Sequence, residues 1–195
     1  MKVTREQAER NRERVVEAAA RLFRERGFEG VGVADLMKSA GLTHGGFYGQ
    51  FNSKEHLMVE ACGQAQEESD QKWRELLEHT PKKPLSAIAS FYLSPQHRDN
   101  PGTGCVVAAL SIDAARQGTP VRAAFTEAVK RMVAFLEQFV PGRSAKTRRR
   151  EALVTYASMV GAIVLARTVN DTALSEEILE AAHSQLAQHD KAGLE

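Results

Sequence analysis

Apolar positions along this chain recur with the period of a helix. Val15, Ala19, Leu22 and Phe23 share one face at i, i+4, i+7 and i+8, which leaves Arg12, Glu13, Arg21, Arg24 and Glu25 to solvent. Gly27 supplies a C-terminal stop. The spacing predicts a short helix over about Val33 to Ala40, burying Val33, Leu36, Met37 and Ala40 and ended by Gly41. Thr43 is placed to cap another short helix reaching about Phe51. Ser53 is placed to cap a long one whose first turn holds Glu55, at the positive end of the helix dipole. That long helix carries Leu57, Ala61, Ala65, Trp73 and Leu77 until Pro81 and Pro84 break it in "HTPKKP". Helices are expected next at about 84–94, 103–117, 120–140, 145–170 and 174–189. "SPQHRDNPGTG" reads as a loop, Gly118 as a stop, and Thr119 with Pro120 as an N-cap followed by proline at the first helical position; Pro141 and Gly142 end the helix after that. No run alternates with period two, so the fold class is all-α, without repeats or low-complexity tracts.

Composition adds bounds to this pattern. In 195 residues, 43% hydrophobic and 26% charged content is that of a globular chain and excludes disorder. The charge-free stretch from Ala152 to Ala166 contains Thr155, Ser158 and Gly161 and falls short of the roughly 18 apolar residues of a membrane span, so it reads as a buried helix. The N-terminus shows no apolar segment of the secretory kind. Cys62 and Cys105 make no disulfide framework. A cytoplasmic protein with no membrane association is expected. Net charge is +1, yet residues 1–54 carry ten Lys/Arg against seven Asp/Glu, an excess that favours a polyanion facing the N-terminal part.

The stretch "GLTHGGFYGQFNSKEHL" places Gly45, Gly46 and Gly49 around Phe47 and Tyr48. Each glycine costs a helix on the order of 1 kcal/mol relative to alanine, so three of them need a purpose. Two short helices joined by a glycine turn and packed on an amphipathic helix form a helix-turn-helix unit. Leu36, Met37, Ala40 and Leu42 can meet Phe47 and Phe51 beneath, leaving Thr43, His44, Gly45 and Tyr48 on another face. In such a unit the start of the second helix reaches base edges in the major groove, and glycines let the backbone approach the duplex.

The run "AAARLFRERGFEGVGVADLMKSAGLTHGGFYGQFNSKEHL" resembles the N-terminal domain of the TetR/AcrR family of transcriptional regulators. The turn glycine, the Phe-Tyr pair, Phe51 and the Ser-Lys-Glu start of the next helix fall in order. The resemblance implies about nine helices: a three-helix DNA-binding domain over residues 1–54 and a ligand-binding and dimerisation domain over 55–195. It implies a homodimer, joined through the last two helices, that binds a palindromic double-stranded DNA operator, most often as a repressor. A small-molecule effector, of unknown identity, would release it by shifting the long Ser53 to His79 helix. Carried over position by position, Thr43 would cap the recognition helix and touch a phosphate, His44 with Gly45 would face bases, Gly46 would let the backbone come close to the DNA, and Tyr48 and Lys54 would clamp the backbone. Two departures stand out. Gly32, where members commonly have Ser or Thr, would leave any phosphate bond near Gly32 and Val33 to backbone N–H groups. Gly49 and Gln50 leave fewer side chains to read bases, so specificity would come from His44, backbone contacts and DNA shape.

Other features carry less. Arg148, Arg149 and Arg150 could touch DNA, but a basic run entering a helix is more often a solvated face. Cys105, in the first turn of its helix, is either an electrophile or oxidant sensor or a small buried hydrophobe, and the second reading is favoured. Ligand-pocket candidates are Cys105 and the residues Trp73, Phe91, Phe125, Met132, Phe135 and Tyr156. No catalytic or metal-binding motif is found, so neither an enzyme nor a cofactor or metal is expected. The competing reading from another class is a helical small-molecule carrier or redox sensor that does not bind DNA.

Overall fold

The computed structural model describes residues 4–80 and 83–188. Among these residues the chain is all-helical. The α-helices are α1 (Arg5–Arg26), α2 (Val33–Ser39), α3 (Lys54–His79), α4 (Pro84–Tyr92), α5 (Pro95–Asp99), α6 (Val106–Ala114), α7 (Thr119–Leu136), α8 (Ala145–Thr168) and α9 (Thr172–Ala187). Packing divides the chain into two compact units, Met1–Glu68 with Pro101–Thr126, and Ser69–Asn100 with Glu127–Glu195. This division by packing runs differently from the division by role expected at residue 54.

In the first unit, α1 is capped by the Thr4 hydroxyl, which accepts from Gln7 N–H at 3.2 Å, and ends at Gly27 with φ 75°. Val15, Ala19, Leu22 and Phe23 are buried as their spacing predicts. Arg24, expected in solvent, is 5% exposed. The reason is a second packing partner: α1 lies against α2 on one side and against the Pro101–Thr103 turn and α6 on another. Phe23 and Phe28 meet edge to face at 5.2 Å, Phe28 meets Phe125 at 6.4 Å, and Phe28 N–H donates to Asp113 Oδ2 at 3.2 Å. After α2 the chain turns through Gly41 at φ 69°, a left-handed conformation that glycine adopts without strain, and Leu42 N–H closes onto the Met37 carbonyl at 2.8 Å. Val33 is only half-buried, whereas Leu36, Met37 and Ala40 are fully in the core.

In the second unit, α8 packs on α9 and α5, and α4 packs on α9. The expected loop over "SPQHRDNPGTG" instead contains α5 and a 3-10 turn at Pro101–Thr103, which belongs to the first unit. Ser94 caps α5 by accepting from His97 N–H at 3.1 Å, with Pro95 at the first helical position, a local signal that favours a helical turn. α7 starts one residue before the expected position, with Arg122 N–H bonded to the Gly118 carbonyl. α9 starts at Thr172 because the Asp171 carboxylate caps it, accepting from Leu174 N–H at 3.1 Å. The break expected at Pro81 and the helix end expected at His189 lie outside the described residues. α8 is long and apolar enough by composition to cross a bilayer, a test the charge-free stretch alone does not pass. Core helices of globular proteins pass it as well, and Ala152, Tyr156, Met159, Ala162, Ile163 and Ala166 of α8 are buried within the unit.

Candidate nucleic-acid interface and effector region

The segment after Gly41 is not the short α-helix expected from Thr43 to Phe51. It is a 3-10 turn over His44–Gly46 followed by a further turn. Gly46 N–H bonds to the Thr43 carbonyl at 3.0 Å and Phe47 N–H to the His44 carbonyl at 3.1 Å, both one residue tighter than α-helical bonds. Thr43 occupies the capping position with extended backbone, but its side chain makes no capping bond. Three glycines remove the propensity for a regular helix, and core contacts hold the segment instead.

Those contacts come from two rings. Phe47 is 0% exposed and Phe51 is fully buried with it, their centroids 5.4 Å apart. Burying each ring is worth roughly 2–3 kcal/mol, which fixes the segment from beneath. The Arg12 guanidinium covers Phe51 at 4.9 Å and pairs with Glu60. Above this base Tyr48 is 70% exposed, edge to face with Phe47 at 5.2 Å and with His44 at 6.3 Å. His44 and Gly45 are exposed, Gly46 is half-buried, and a Cβ built on Gly45 would meet nothing within 4 Å. The fold therefore presents His44, Gly45 and Tyr48 together on a surface. Gln50 is withdrawn from it, since its amide donates to the Gly46 carbonyl at 3.2 Å.

Two expected phosphate contacts are altered by local bonding. Lys54 is half-buried and its Nζ donates to the Phe28 carbonyl at 2.6 Å, so the ammonium is tethered inside the unit and has only its remaining protons to offer outward. Gly32 N–H is bonded to Asp35 Oδ2 at 3.3 Å, which places a carboxylate beside the backbone groups expected to meet a phosphate. The basic run near residue 150 is paired locally: Arg149 with Glu137 at 2.9 Å, Arg150 with Glu151 at 2.8 Å, and Arg148 with the Gly142 carbonyl at 3.2 Å.

The burial of Arg24 has no signal in the sequence, where it is one charge among several at a helix end. Its guanidinium donates to the Ala20 carbonyl at 2.8 Å, the Gly104 carbonyl at 2.9 Å and Glu68 Oε2 at 2.9 Å. Each of its three nitrogens is answered inside the unit, which makes it a tie among α1, α3 and the start of α6. Cys62 is buried nearby on α3; burial pushes its thiol up to about 12, opposed by the charge of Arg24, so it stays protonated and inert. Cys105 occupies the N-cap position of α6, one residue before the first turn, and is buried.

The ligand-pocket candidates divide between the units. Cys105 and Phe125 belong to the first, whereas Trp73, Phe91, Met132, Phe135 and Tyr156 belong to the second. There Trp73 is the centre of a ring cluster, with Phe91 at 5.3 Å, Phe135 at 5.8 Å and Tyr92 stacked at 6.3 Å. Met132 and Tyr156 are buried in the same unit. Sequence reasoning missed Tyr92 and His97, whose rings meet at 4.6 Å. His97 is pushed down to about 4, chiefly by burial, which its hydrogen bond to the Tyr92 carbonyl opposes and the charges of Arg167 and Lys72 reinforce. Trp73 is 3% exposed and its indole Nε1 has no acceptor. A buried donor left unpaired costs about 1–3 kcal/mol.

Comparison with known proteins bears on both regions. Residues 15–61 match the family described as bacterial regulatory proteins, tetR family. Over 168 residues the chain is 29% identical to the HTH-type transcriptional regulator LmrA of Bacillus subtilis (strain 168), covering 83% of this chain and 89% of that protein. It is 27% identical over 130 residues to the HTH-type transcriptional repressor NemR of Escherichia coli (strain K12), 65% of each chain. The crystal structure of the reduced form of E. coli NemR superposes with a TM-score of 0.74 at 25% identity, covering 90% of this chain and 94% of that one. A TetR-family regulator from Cytophaga hutchinsonii superposes with a TM-score of 0.78 at 22% identity over 97% and 98% of the two chains, a likeness of fold.

Proposed function

Because the chain belongs to the TetR family of transcriptional regulators, we propose that it acts as a repressor: a homodimer that binds a palindromic operator and leaves it when an effector binds. The observation that carries this reading is the surface of His44, Gly45 and Tyr48 raised on the buried pair Phe47 and Phe51. Tyr48 donates to a phosphate and His44 meets base edges, while the exposed backbone at Gly45 permits close approach. Lys54 adds charge through the protons it does not spend on Phe28, and Val33 adds a backbone N–H at the start of α2.

One such surface is too small to hold an operator alone, so a second copy is required. Leu153, Val154 and Leu165 on α8 and Leu174 on α9 are exposed apolar residues, and a second copy of these helices covers them. The effector enters among the aromatic residues of the second unit, or, for an electrophile, reacts at Cys105. α3 begins at Lys54 beside the recognition segment and carries Trp73 on the same continuous helix. An effector that repositions this helix respaces the two recognition segments, and its binding free energy is coupled to loss of DNA affinity.

A gel-shift titration on DNA flanking the gene tests the DNA-binding claim, with Tyr48→Ala as the variant. Affinity is expected to fall at least tenfold; equal affinity of variant and parent would remove Tyr48 from the interface. Sedimentation velocity tests the dimer, and a monomer at micromolar concentration would contradict it.

A further inference from the structure

We propose that the effector is a neutral aromatic molecule bearing a hydrogen-bond acceptor such as a carbonyl, seated on the ring cluster of α3, α4 and α7 with its acceptor on the indole N–H of Trp73. This rests on the effector reading above and names the class of ligand that reading leaves open.

Trp73 lacks an acceptor for its indole N–H. Its indole Nε1 is buried and unpartnered, although buried polar groups in folded proteins are nearly always paired. An indole N–H can only donate, so the missing partner is an acceptor. The rings around Trp73 do not serve: Phe91 and Phe135 offer no oxygen or nitrogen, and Tyr92, stacked on it at 6.3 Å, does not accept from its indole. A ligand that fits beside them presents an aromatic surface to two phenyl rings and one acceptor to the indole.

The way in is marked by exposure. Phe91 is 42% exposed while its ring touches the buried indole, and Phe135, also against the indole, is half-buried. Phe91, exposed and in contact with the indole, is the ring a ligand displaces to reach Trp73.

The ion pair between the helices that carry Trp73 and Phe135 disfavours an anionic ligand. One turn before Trp73, Asp70 is paired with Arg131, itself one turn before Phe135, at 3.5 Å. His97, the ionisable ring against Tyr92, is neutral at pH 7 because burial holds it down. Arg131 is committed to Asp70 and His97 is neutral, so the pairings next to Trp73 favour a neutral carbonyl over a carboxylate as its acceptor.

The test uses the fact that Trp73 is the single tryptophan of the chain. Its indole gives one cross-peak in a nitrogen–proton correlation spectrum. The full-length protein is titrated with 1-indanone and, separately, with indane, which has the same rings without the carbonyl. The expected result is a downfield shift of the indole proton with 1-indanone only, and affinity for 1-indanone at least tenfold above that for indane. In Trp73→Phe, followed by a ligand signal, that ratio collapses towards one. An indole peak unmoved by millimolar 1-indanone, equal affinity for the two compounds, or a ratio retained in Trp73→Phe overturns the proposal. Operator binding by the unliganded parent is measured separately: its absence would overturn the regulator reading, whereas the indole titration judges the ligand class alone.

Discussion

Arg24 donates from its guanidinium to the carbonyl of Gly104, eighty positions along the chain, at 2.9 Å. The same side chain reaches Glu68 at 2.9 Å and is almost wholly buried. A buried guanidinium loses its hydration and is tolerated only when its donors are answered, which is the case here. Arg24→Ala leaves the Ala20 and Gly104 carbonyls without its donors and Glu68 with its bond from Gln64, and is expected to cost about 1–3 kcal/mol in urea unfolding. Arg24→Lys, lacking the fork, recovers only part of that loss. A loss under about 0.5 kcal/mol, the range of ordinary surface substitutions, would show that the tie contributes nothing.

Phe47 and Tyr48 are neighbours with opposite duties. Phe47→Ala empties a site in the core of the first unit and is expected to cost about 3–5 kcal/mol. Tyr48→Ala removes an exposed ring and should change stability by less than about 0.5 kcal/mol while lowering operator affinity. Calorimetry of the two variants beside gel shifts separates folding from recognition.

Lys54 is a less clean probe than Tyr48. Lys54→Ala frees the Phe28 carbonyl and is expected to cost about 1 kcal/mol of stability as well as DNA affinity. If its remaining protons reach phosphates, the slope of log affinity against log salt falls by about 0.9 for each phosphate that the ammonium no longer neutralises. An unchanged slope assigns Lys54 to the internal bond alone.

Gly45 can be tested in the reverse sense. A Cβ there meets nothing in the free protein, so Gly45→Ala should leave stability unchanged or raise it by about 0.5–1 kcal/mol. Weaker operator binding by this variant would be due to the duplex itself, approaching the backbone where the methyl group now stands. Equal binding would place Gly45 away from the duplex.

His97 makes stability depend on pH in a defined window. Its value falls from an ordinary 6.5 to about 4 on folding, so between these limits the unfolded chain binds the extra proton. Stability is full above pH 6.5 and declines as the pH drops towards 4, by up to about 3 kcal/mol. His97→Gln should flatten that part of the curve in urea titrations at pH 7 and pH 5. The same slope in parent and variant would shift the effect to other groups.

The frame of the site is legible in the sequence because it rests on short-range patterns. Gly27 and Gly41 punctuate α1 and α2, Ser53 caps α3 by accepting from His56 N–H at 3.0 Å, and the spacing of Phe47 and Phe51 marks one buried face. What the sequence hides depends on distant partners. Arg24 is buried because residues 101–114 cover a second side of α1, and Lys54 is tethered by a carbonyl 26 positions away. No local period encodes either interaction. In the recognition segment the capping and turn signals point to an α-helix, while three glycines and two anchored rings settle it into tighter turns.

Two copies of the His44–Tyr48 surface are proposed to grip one operator. Footprinting of the purified protein on DNA flanking its gene tests this most directly. A protected, two-fold symmetric site is expected, its half-site centres about one duplex turn, roughly 34 Å, apart or a little more. Protection of a single asymmetric half-site, or none at any protein concentration in moderate salt, would contradict it.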